Sequence, residues 1–354
     1  MNLEELRTAI DEIDRQLVTL LRERARLAQQ IGQEKDRLDQ RVYAPERELA
    51  VCERLADLEV SPLRLEALRA IYREIISACR EVQRRLVIAF LGPEGTFTQI
   101  AGRQVFGSGC EYRPLPSVAD VFYEVEKGRA DHGIVPIENS SEGSVRETMD
   151  MFLQAEVRIC AEVYVDIHHC LLAKGPREQI RVLYSNPQAL AQCRQWLRTN
   201  LPKVELVATT STAQGAARAA QEPQAAAIGT SLAAELYGLD ILEANIEDQA
   251  GNRTRFLVLG REDTPPTGRD KTSLIISTQH RAGALCEALS VLRDHQLNMT
   301  MIESRPARYT AWAYVFFIDF QGHLAEEHVR QALSELEERC LFVRVLGSYP
   351  EAGD

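Results

Sequence analysis

The sequence predicts a multidomain protein with three parts: an all-α, three-helix domain that forms an intertwined dimer, a two-lobed α/β domain, and an α+β domain of ferredoxin-like βαββαβ order. Apolar residues keep a helical spacing over residues 1–86, and strand-like and helical segments alternate over 87–263. A linker-like TPPTGRD segment (264–270) precedes a single βαββαβ pattern. The 354-residue length suits two or three cores. We therefore expect domains at 1–86, 87–263 and 270–350.

The composition argues against several classes of protein. Hydrophobic residues make up 45% and charged residues 26%, which is ordinary for a globular protein and unlike a disordered one. The net charge of −11 argues against a nucleic-acid-binding surface over the whole chain. No apolar run approaches the ~20 residues of a membrane span. Any anionic ligand is therefore expected to be held by local clusters of Arg and Lys.

The cysteines and the opening residues indicate a cytoplasmic protein. None of the eight cysteines forms a C-x-x-C pair, and their spacing matches neither a zinc site nor a disulfide framework. The opening MNLEELRTAI carries acids early and lacks an apolar h-region, so it does not resemble a signal peptide. We expect reduced thiols, no metal, and no nucleic-acid or membrane partner.

Residues 2–38 are predicted to form one helix, because apolar residues recur every three or four positions without an interrupting proline. Such a helix would be roughly 55 Å long, and a domain this small cannot bury both of its ends within one chain. A helix of this length indicates an interchain arrangement. A second helix is predicted over 46–59. A third would begin with Ser61 as N-cap and Pro62 at its first position, and would end near Arg85.

Charged residues on the apolar face of the first helix point to a ligand. Arg24 and Lys35 return to the same face within roughly 20°, where two cations are costly unless an anion meets them. Either both snorkel past the edge of the core, or they hold an anion together with Glu48 and Gln83 of the other helices. Arg7 lies about 100° around the helix from Arg24, so a pocket that uses both would take Arg7 from another chain. These residues suit a small dicarboxylate.

Four motifs of this part resemble those of the all-helical chorismate mutases, intertwined dimers that rearrange chorismate to prephenate: LRTAIDEID, ERARLAQQIGQEK, PERE and IISACREVQ. The resemblance implies that three arginines hold the two carboxylates, the first of them from the partner chain: Arg7, Arg24 and Arg47. Lys35 and Gln83 would donate to the ether oxygen, and Glu48 would meet the ring hydroxyl. This rearrangement requires a near-attack conformer and well-placed donors, with no metal or coenzyme. Ala44 and Cys79 replace the Asp and Ser of many members, which removes possible hydrogen bonds of ~1 kcal/mol each.

The middle part is predicted to be a mostly parallel sheet covered by helices on both faces, because strands and helices alternate along it. A strand pair around 157–173 leads into a second lobe, and the strand 255–260 returns to the first. This arrangement places a ligand cleft between two lobes. His168 and His169 face opposite sides of a strand-like run. Since no metal-binding motif surrounds them, we expect both histidines to be structural.

Three polar segments follow predicted strands in the middle part. GPEGTFTQIA (92–101) is a tight turn at a helix N-terminus, which can seat a carboxylate or phosphate, but it is not the GxGxxG motif of dinucleotide sites. PIENS (136–140) and NRTRF (252–256) lie at strand ends, where ligands of α/β proteins usually bind. Taken singly, each segment is also compatible with a simple turn or loop cap.

Together, GPEGTFT, VPIENSSEG, SNPQALAQC and TRF resemble the motifs of prephenate dehydratases, in the same order and over residues 87–260. These enzymes expel carbon dioxide and the ring hydroxyl of prephenate to give phenylpyruvate. Aromatisation drives the step, so the resemblance implies no cofactor. It implies Thr254 as the donor to the leaving hydroxide and Arg255 as the bidentate partner of a substrate carboxylate. Thr210 stands where a relative has an acid. The resemblance also places in the cleft Thr98, Glu138, Asn139, Ser140, Gln188 and Phe256, the last as a packing residue.

The last part resembles the ACT regulatory domain of the same enzymes through GALCEAL (283–289) and ESRP (303–306). In this family the two segments bind phenylalanine at a subunit interface and inhibit the dehydratase. Cys286 replaces the Val of the family and changes a side chain near that site, whereas Gly283 permits close approach of the ligand. The resemblance places phenylalanine against Gly283, Ala284, Leu285, Glu303, Ser304, Arg305 and Pro306.

These resemblances cover nearly the whole chain and imply a bifunctional enzyme of phenylalanine biosynthesis that is at least a dimer and is inhibited by L-phenylalanine. Its substrates would be chorismate and prephenate. Two other functions stay open: a dehydratase whose helical domain serves only for dimerisation, and a non-catalytic phenylalanine sensor. A fused prephenate dehydrogenase is disfavoured because no dinucleotide motif is present.

Overall fold

The computed structural model describes residues 1–306 and 314–352 of the chain. The chain divides into two units, Met1–Val87 with Arg103–Glu111, and Ile88–Gly102 with Tyr112–Asp354. The predicted strand WAYVFFIDF begins at Trp312, so its first two residues lie outside the described part. No described helix combines the length and the apolar character that a membrane crossing requires.

Three helices make up most of the first unit: α1 (Leu3–Arg37), α2 (Pro45–Ala56) and α3 (Leu65–Glu81). α1 is one helix of 35 residues, about 52 Å long. A capping box starts it, because Asn2 and Glu5 each accept the other's backbone N–H. Within α1 only Ala28 and Gly32 are buried. Its apolar residues therefore lie on the surface of this chain, at Leu3, Leu6, Ile10, Ile13, Leu17, Leu20, Leu27 and Ile31.

The predicted start of the third helix is wrong. Ser61 and Pro62 belong to a turn that the Leu63 N–H closes on the Val60 carbonyl at 2.8 Å. α3 therefore begins only at Leu65, and no side chain caps its first turn.

Strands and helices alternate over residues 87–260, as predicted. In chain order they are β1 (Val87–Leu91), α4 (Phe97–Phe106), β2 (Glu111–Leu115), α5 (Val118–Glu126), β3 (His132–Asn139), β4 (Gly143–Ser144), α6 (Arg146–Phe152), β5 (Arg158–Asp166), β6 (Cys170–Ala173), β7 (Val182–Ser185), α7 (Pro187–Gln192), α8 (Arg194–Asn200), β8 (Glu205–Ala208), α9 (Thr212–Ala219), β9 (Ala225–Gly229), α10 (Ser231–Tyr237), β10 (Asp240–Glu243) and β11 (Arg253–Gly260).

These strands form two sheets, one in each lobe. The first has the order β2-β1-β3-β11-β5 with β4 on β3, and the second has the order β10-β6-β9-β7-β8. The chain leaves the first lobe after β5 and returns in β11, as predicted. The prediction of a mostly parallel sheet is wrong, because β11 runs antiparallel to both β3 and β5. The loop 244–252 brings β11 back without the helix that a parallel crossover needs.

The C-terminal part follows the order βαββαβ in the described residues: β12 (Asp270–Ser277), α11 (Ala284–Asp294), β13 (Met299–Pro306), β14 (Tyr314–Gln321), α12 (Glu327–Arg339) and β15 (Phe342–Pro350). Its antiparallel sheet has the order β13-β14-β12-β15. Apolar residues of α11 and α12 form a core with this sheet. β15 lies against β5 of the first lobe, where a β-carbon at Gly347 would come 2.2 Å from the Ile159 carbonyl oxygen. Position 347 therefore requires glycine, because any side chain there would clash with the backbone of β5.

Candidate functional sites

A cavity of about 910 Å³ lies between the two lobes of the α/β part. Its walls come from the carboxyl ends of β1 and β3, the start of β11, and the N-terminal ends of α4, α7 and α9. Five of the residues predicted for the dehydratase cleft line it: Thr98, Asn139, Gln188, Thr254 and Phe256.

The loop that precedes α4 is held in one conformation. Gly95 has φ +84°, a left-handed value that favours glycine, and an added β-carbon would lie 3.0 Å from that of Ala233. The Gly95 N–H donates to Gln99 Oε1 at 2.7 Å, and its carbonyl accepts from Thr230 Oγ1 at 2.7 Å. These bonds place the first turn of α4, with Thr98, at the cavity wall.

Thr254 is oriented by Asn139. The Nδ2 of Asn139 donates to Thr254 Oγ1 at 2.7 Å and to Asn252 Oδ1 at 2.8 Å. Its Oδ1 in turn accepts the N–H groups of Ser141 and Glu142. Because the Thr254 oxygen accepts a bond and no group in the described chain takes its proton, the hydroxyl can donate into the cavity.

The cavity is polar but nearly uncharged. Among the described residues that line it there is no Arg or Lys, so the expectation that such residues hold an anionic ligand is wrong here. Three helix N-termini face it instead. Asn186 and Ser211 cap α7 and α9 through bonds from the Ala189 and Gln214 N–H groups. Hydroxyls and N–H groups at helix N-termini are suitable partners for carboxylates.

His169 lines this cavity, and its structural role stays a prediction. Its Nε2 lies 2.8 Å from Gln192 Oε1, and its ring stands edge-on to Phe97 with centroids 5.7 Å apart. Its Nδ1 has no hydrogen-bond partner among the described residues. Burial lowers the pKa of His169, so the free imidazole is neutral near pH 7. No local motif marks it in the sequence. His168 faces the other way and lies 2.9 Å from Glu247.

Three residues predicted for the dehydratase cleft do not line the cavity: Glu138, Ser140 and Arg255. Ser140 is exposed, and its Oγ accepts the Arg253 N–H at 2.9 Å, so it joins two loops. Glu138 pairs through its backbone with Ser144 of β4. Thr254 and Arg255 are neighbours on β11, and neighbouring strand residues face opposite sides of a sheet.

Arg255 instead lies in a buried ionic cluster with the C-terminal sheet. Its Nε is 2.7 Å from Glu162, its Nη1 is 2.6 Å from Asp319, and its Nη2 donates to the Tyr349 hydroxyl at 3.0 Å. Lys271 lies 2.8 Å from the second oxygen of Glu162. The prediction that Arg255 pairs with substrate is therefore wrong, because both of its charged partners belong to the protein.

A cluster of polar residues, here called the helical pocket, lies in the first unit on α1, on α2 and at the end of α3. Lys35 Nζ donates to the Val42 carbonyl at 2.9 Å. Glu48 is largely buried, and its Oε1 lies 3.3 Å from Arg80 Nε. Gln83 Nε2 donates to the Cys79 carbonyl at 3.2 Å, while its buried Oε1 has no partner within the described chain. The structure thus brings together three of the predicted residues, with Arg24 acting electrostatically on Glu48.

Burial controls the ionisation of this pocket. It raises the pKa of Glu48 to about 7, against the opposing effect of Arg80 and Lys35. It lowers the pKa of Lys35, against the effect of Glu46 and Glu48. A neutral Glu48 leaves the cations unbalanced and so favours an anionic ligand.

Arg80 is a residue of this pocket that the sequence analysis missed. It is buried, its Nη2 donates to the Phe106 carbonyl at 2.8 Å, and its guanidinium lies 5.6 Å from the ring centre of Tyr43. The spacing of Ile76, Arg80 and Gln83 by four and three residues could have revealed it, because that spacing places all three on one helix face.

The other two predicted arginines do not join the pocket within this chain. Arg7 is exposed and pairs with Glu4 at 3.0 Å. It is separated from Arg24 by 17 residues of one continuous helix, about 25 Å. Arg47 is exposed on α2.

A third cavity, of about 490 Å³, lies at the start of α11 and is lined by residues 278–286, Tyr314 and Phe316. Gly283, Ala284 and Leu285 line it, as predicted for the phenylalanine site. The left-handed φ of +84° at Gly283 favours glycine. The predicted residues 303–306 lie on β13 outside this lining, with Ser304 opposite Phe316 and Arg305 paired to Asp150 at 3.0 Å.

Comparison with known families divides the chain in the same order. Residues 6–84 match the model of chorismate mutase type II, residues 88–264 that of prephenate dehydratase, and residues 272–338 that of the ACT domain. The bifunctional chorismate mutase/prephenate dehydratase of Aquifex aeolicus is 45% identical over 99% of this chain and 98% of its own length. That of Neisseria gonorrhoeae is 44% identical over 98% and 96%.

Solved structures resemble the α/β and C-terminal parts. Prephenate dehydratase from Arthrobacter aurescens, solved in complex with L-Phe, is 35% identical with a TM-score of 0.70 and covers 75% of this chain and 90% of its own. GqqA, described as a novel type of quorum quenching acylase, is 31% identical with a TM-score of 0.69 and covers 75% and 98%.

Proposed function

This chain belongs to the family of bifunctional chorismate mutase/prephenate dehydratases, and from that membership we propose which pocket performs each reaction. The protein rearranges chorismate to prephenate and then converts prephenate to phenylpyruvate in phenylalanine biosynthesis. The helical pocket around Lys35 and Glu48 performs the first reaction. The cavity between the α/β lobes performs the second, and the third cavity binds L-phenylalanine. The hydrogen bond from Asn139 to Thr254, at the wall of the cavity between the lobes, is the observation that most directly supports the assignment of the dehydratase reaction to that cavity.

In the mutase pocket the protein holds chorismate in a reactive conformer and stabilises developing charge. Lys35 and Gln83 donate to the ether oxygen as its bond to carbon breaks. Arg24, Arg47 and Arg7 of a partner subunit hold the carboxylates. The Glu48 carboxyl is mainly neutral below its pKa of about 7, and in that form it meets the ring hydroxyl without repelling the dianion.

In the dehydratase cavity one carboxylate leaves prephenate as carbon dioxide. The electron pair of that carbon–carbon bond enters the ring, which becomes aromatic and expels the ring hydroxyl as hydroxide. Thr254 donates a hydrogen bond to the departing oxygen, because Asn139 already occupies a lone pair of the threonine. Thr98, Gln188 and the helix N-termini hold the remaining carboxylate, and Phe256 packs against the ring.

The protein assembles through α1 and the C-terminal domain. The exposed apolar residues of α1 favour an intertwined dimer, since a chain rarely leaves such a long apolar surface in water. The strand order of the C-terminal sheet supports the ferredoxin-like assignment. We place the domains at 1–86, 87–263 and 270–350, and the protein in the cytoplasm. Residues 303–306 on the edge strand β13 reach the phenylalanine site of a neighbouring subunit.

Two variants of the full chain test the assignment of the two reactions. Chorismate and prephenate are supplied in separate assays, and the formation of prephenate and of phenylpyruvate is measured with and without added phenylalanine. Lys35→Ala abolishes mutase turnover and leaves dehydratase turnover intact, whereas Thr254→Ala does the converse. A Lys35→Ala protein with normal mutase turnover removes Lys35 from the mechanism. A wild-type protein without mutase turnover would mean that the helical domain serves only for dimerisation. A Thr254→Ala protein with a normal dehydratase rate removes Thr254 from the mechanism.

Regulation is tested with variants of the third cavity. Phenylalanine inhibits the dehydratase. Gly283→Ala or Ser304→Ala raises the phenylalanine concentration needed for half inhibition by at least about tenfold, because each variant loses one or two hydrogen bonds to the ligand. The rate without phenylalanine stays near wild type. Unchanged inhibition in both variants contradicts the site.

The acylase activity described for GqqA is not extended to this protein. Amide hydrolysis by a hydroxyl nucleophile requires an adjacent base. In the described cavity, no serine or threonine hydroxyl bonds to His169, whose Nε2 is occupied by Gln192.

A further inference from the structure

The dehydratase cavity has a charge deficit. Its proposed substrate carries two carboxylates, yet the described lining has no Arg or Lys. Helix N-termini supply partial charge at about half a unit each, and a bound dianion needs more positive charge to balance it. His169 is the lining residue that can become a full cation at physiological pH.

Hydrogen bonds hold His169 in an orientation that leaves Nδ1 free to accept a second proton. Its backbone N–H donates to Glu247 Oε2 at 2.9 Å, and its carbonyl accepts from the Ile246 N–H at 3.0 Å. Its Nε2 can keep its proton on Gln192 Oε1 in either charge state. A second proton therefore goes to Nδ1, which has no partner within the described residues, and turns that nitrogen into a donor for a ligand.

Of the other titratable groups near His169, Glu247 favours a positive ring, Tyr237 and Cys193 stay neutral, and His168 opposes the charge. Burial opposes ionisation of Glu247, but bonds from His168 and the His169 N–H hold its pKa below the ordinary value, so it is an anion beside the ring. Burial raises the pKa of the Tyr237 hydroxyl and that of the Cys193 thiol, the latter to about 12, and both remain uncharged. His168 opposes the charge, but it faces solvent and pairs with Glu247.

We propose that His169 is the substrate-binding cation of the dehydratase cavity: it takes up one proton from solvent when prephenate binds and donates through Nδ1 to a substrate carboxylate. The proton returns to solvent when the products leave. This inference rests on the assignment of this cavity to the dehydratase reaction. It deepens that assignment by naming a group that selects dianions over neutral ring compounds.

Proton uptake on binding tests the proposal directly. Prephenate is titrated into a Glu48→Gln/Thr254→Ala protein, in which the mutase carboxyl cannot titrate and the dehydratase is inactive. Calorimetry at about pH 7.5, in two buffers of different ionisation enthalpy such as PIPES and Tris, yields the number of protons taken up. About one proton is expected. Adding His169→Gln is expected to abolish the uptake, and adding His168→Gln, the matched control, is expected to leave it unchanged.

Steady-state kinetics provide a second readout that a merely structural role would not move. KM for prephenate rises with pH in wild type, by up to about tenfold per pH unit above the pKa of free His169. The His169→Gln variant has a KM at least about tenfold higher near pH 6.5, where charge-assisted bonding is lost, and that KM no longer changes with pH. Its kcat changes by less than about threefold, because the leaving group is served by Thr254.

The outcomes separate this inference from the assigned function. Wild-type turnover of prephenate without proton uptake overturns the role of His169 and leaves the dehydratase assignment standing. Absence of wild-type turnover overturns both. If His169→Gln does not fold, the uptake measured in the double variant still decides, and His169→Asn provides the kinetic comparison.

Discussion

At the residue scale, neighbouring positions on one strand serve different parts of the molecule. Thr254 faces the cavity, whereas Arg255 faces the C-terminal sheet and contacts Glu162 and Asp319. Buried carboxylates need such a partner, because an unpaired charge in the interior is strongly unfavourable. The charge of Arg255 is therefore used within the protein and is unavailable to substrate.

Replacing Arg255 tests this role. Arg255→Ala leaves two buried carboxylates with one fewer cation, so the free energy of unfolding is expected to fall by about 3–5 kcal/mol. Arg253→Ala on the same strand removes a half-exposed pair with Asp166 at 3.7 Å and a contact with the Tyr164 ring, whose centre lies 4.6 Å from the guanidinium. It is expected to cost about 1–2 kcal/mol. Urea denaturation followed by tryptophan fluorescence and circular dichroism measures both. Equal losses would show that burial of the pair is unimportant.

The ionisation of Glu48 predicts a pH dependence of the mutase. Its pKa of about 7 is raised, so the carboxyl is neutral below that pH and becomes an anion as the pH rises through it. The anion repels the carboxylates of chorismate. The mutase kcat/KM is therefore expected to fall above about pH 7, since this parameter reports the free enzyme.

A neutral side chain removes that dependence. Glu48→Gln is expected to keep its kcat/KM constant from about pH 6 to 8.5, while Glu53→Gln, an exposed control on the same helix, follows wild type. An unchanged fall in Glu48→Gln would assign the titration to another group.

At the element scale, the mutase pocket depends on how closely the chain after α3 approaches α1. A β-carbon at Gly32 would lie 2.9 Å from both Cβ and Cγ of Gln83. Such distances require Gln83 to move, although Gln83 is a proposed donor to the breaking bond. A glycine inside a helix lowers the stability of that helix by about 1 kcal/mol relative to alanine. Gly32 nevertheless allows Gln83 to approach α1 closely, because it has no β-carbon.

Gly32→Ala is therefore expected to lower mutase kcat by about tenfold or more, because a displaced donor loses charge stabilisation at the ether oxygen. The dehydratase rate should not change. Gln33→Ala, an exposed neighbour on α1, is the matched control for both assays. A Gly32→Ala protein with normal mutase kcat would indicate that Gln83 does not contact the substrate.

The start of α2 provides a second test on an element. Ala44 is its N-cap and makes no side-chain capping bond. Ala44→Asp is expected to accept one of the free N–H groups of the first turn and to raise the free energy of unfolding by about 1 kcal/mol. Ala44→Val, which cannot accept, should bring no such gain. Thermal unfolding of the two variants measures the difference.

At the scale of the whole molecule, the proposed set of mutase residues does not come together in one chain. Arg7 and Arg24 lie on one rigid helix and about 25 Å apart, and a substrate with the dimensions of a single ring cannot span that distance. Both residues can serve one pocket only if two chains contribute.

Mixing inactive variants tests this sharing. Arg7→Ala and Arg24→Ala homodimers are each expected to lose most mutase activity. Heterodimers formed by unfolding and refolding the mixture contain one intact pocket, so the activity should recover to about a quarter of wild type, as for a two-fold symmetric dimer. Dehydratase activity, measured in parallel, controls for recovery of folded protein. A mixture that stays inactive would contradict a shared site.

Some of the fold follows from local spacing alone. The period of apolar residues predicts α1 to within one residue at each end, since every turn of a helix repeats the same side chains on one face. The shared cleft of Thr98, Asn139, Gln188 and Thr254 is implied only by the family resemblance of their motifs, and these residues do line one cavity in the structure.

The sequence by itself determined the order of the elements, the length of α1 and the types of residue that carry the chemistry, because these depend on neighbours within a turn or a strand. Only the tertiary structure decided which distant groups meet. Asn139 and Thr254 are 115 positions apart, and the face of β11 that borders the cavity is set by the second lobe. That placement turned Arg255 toward Glu162 and Asp319 and His169 toward the cavity, and no local pattern records either outcome.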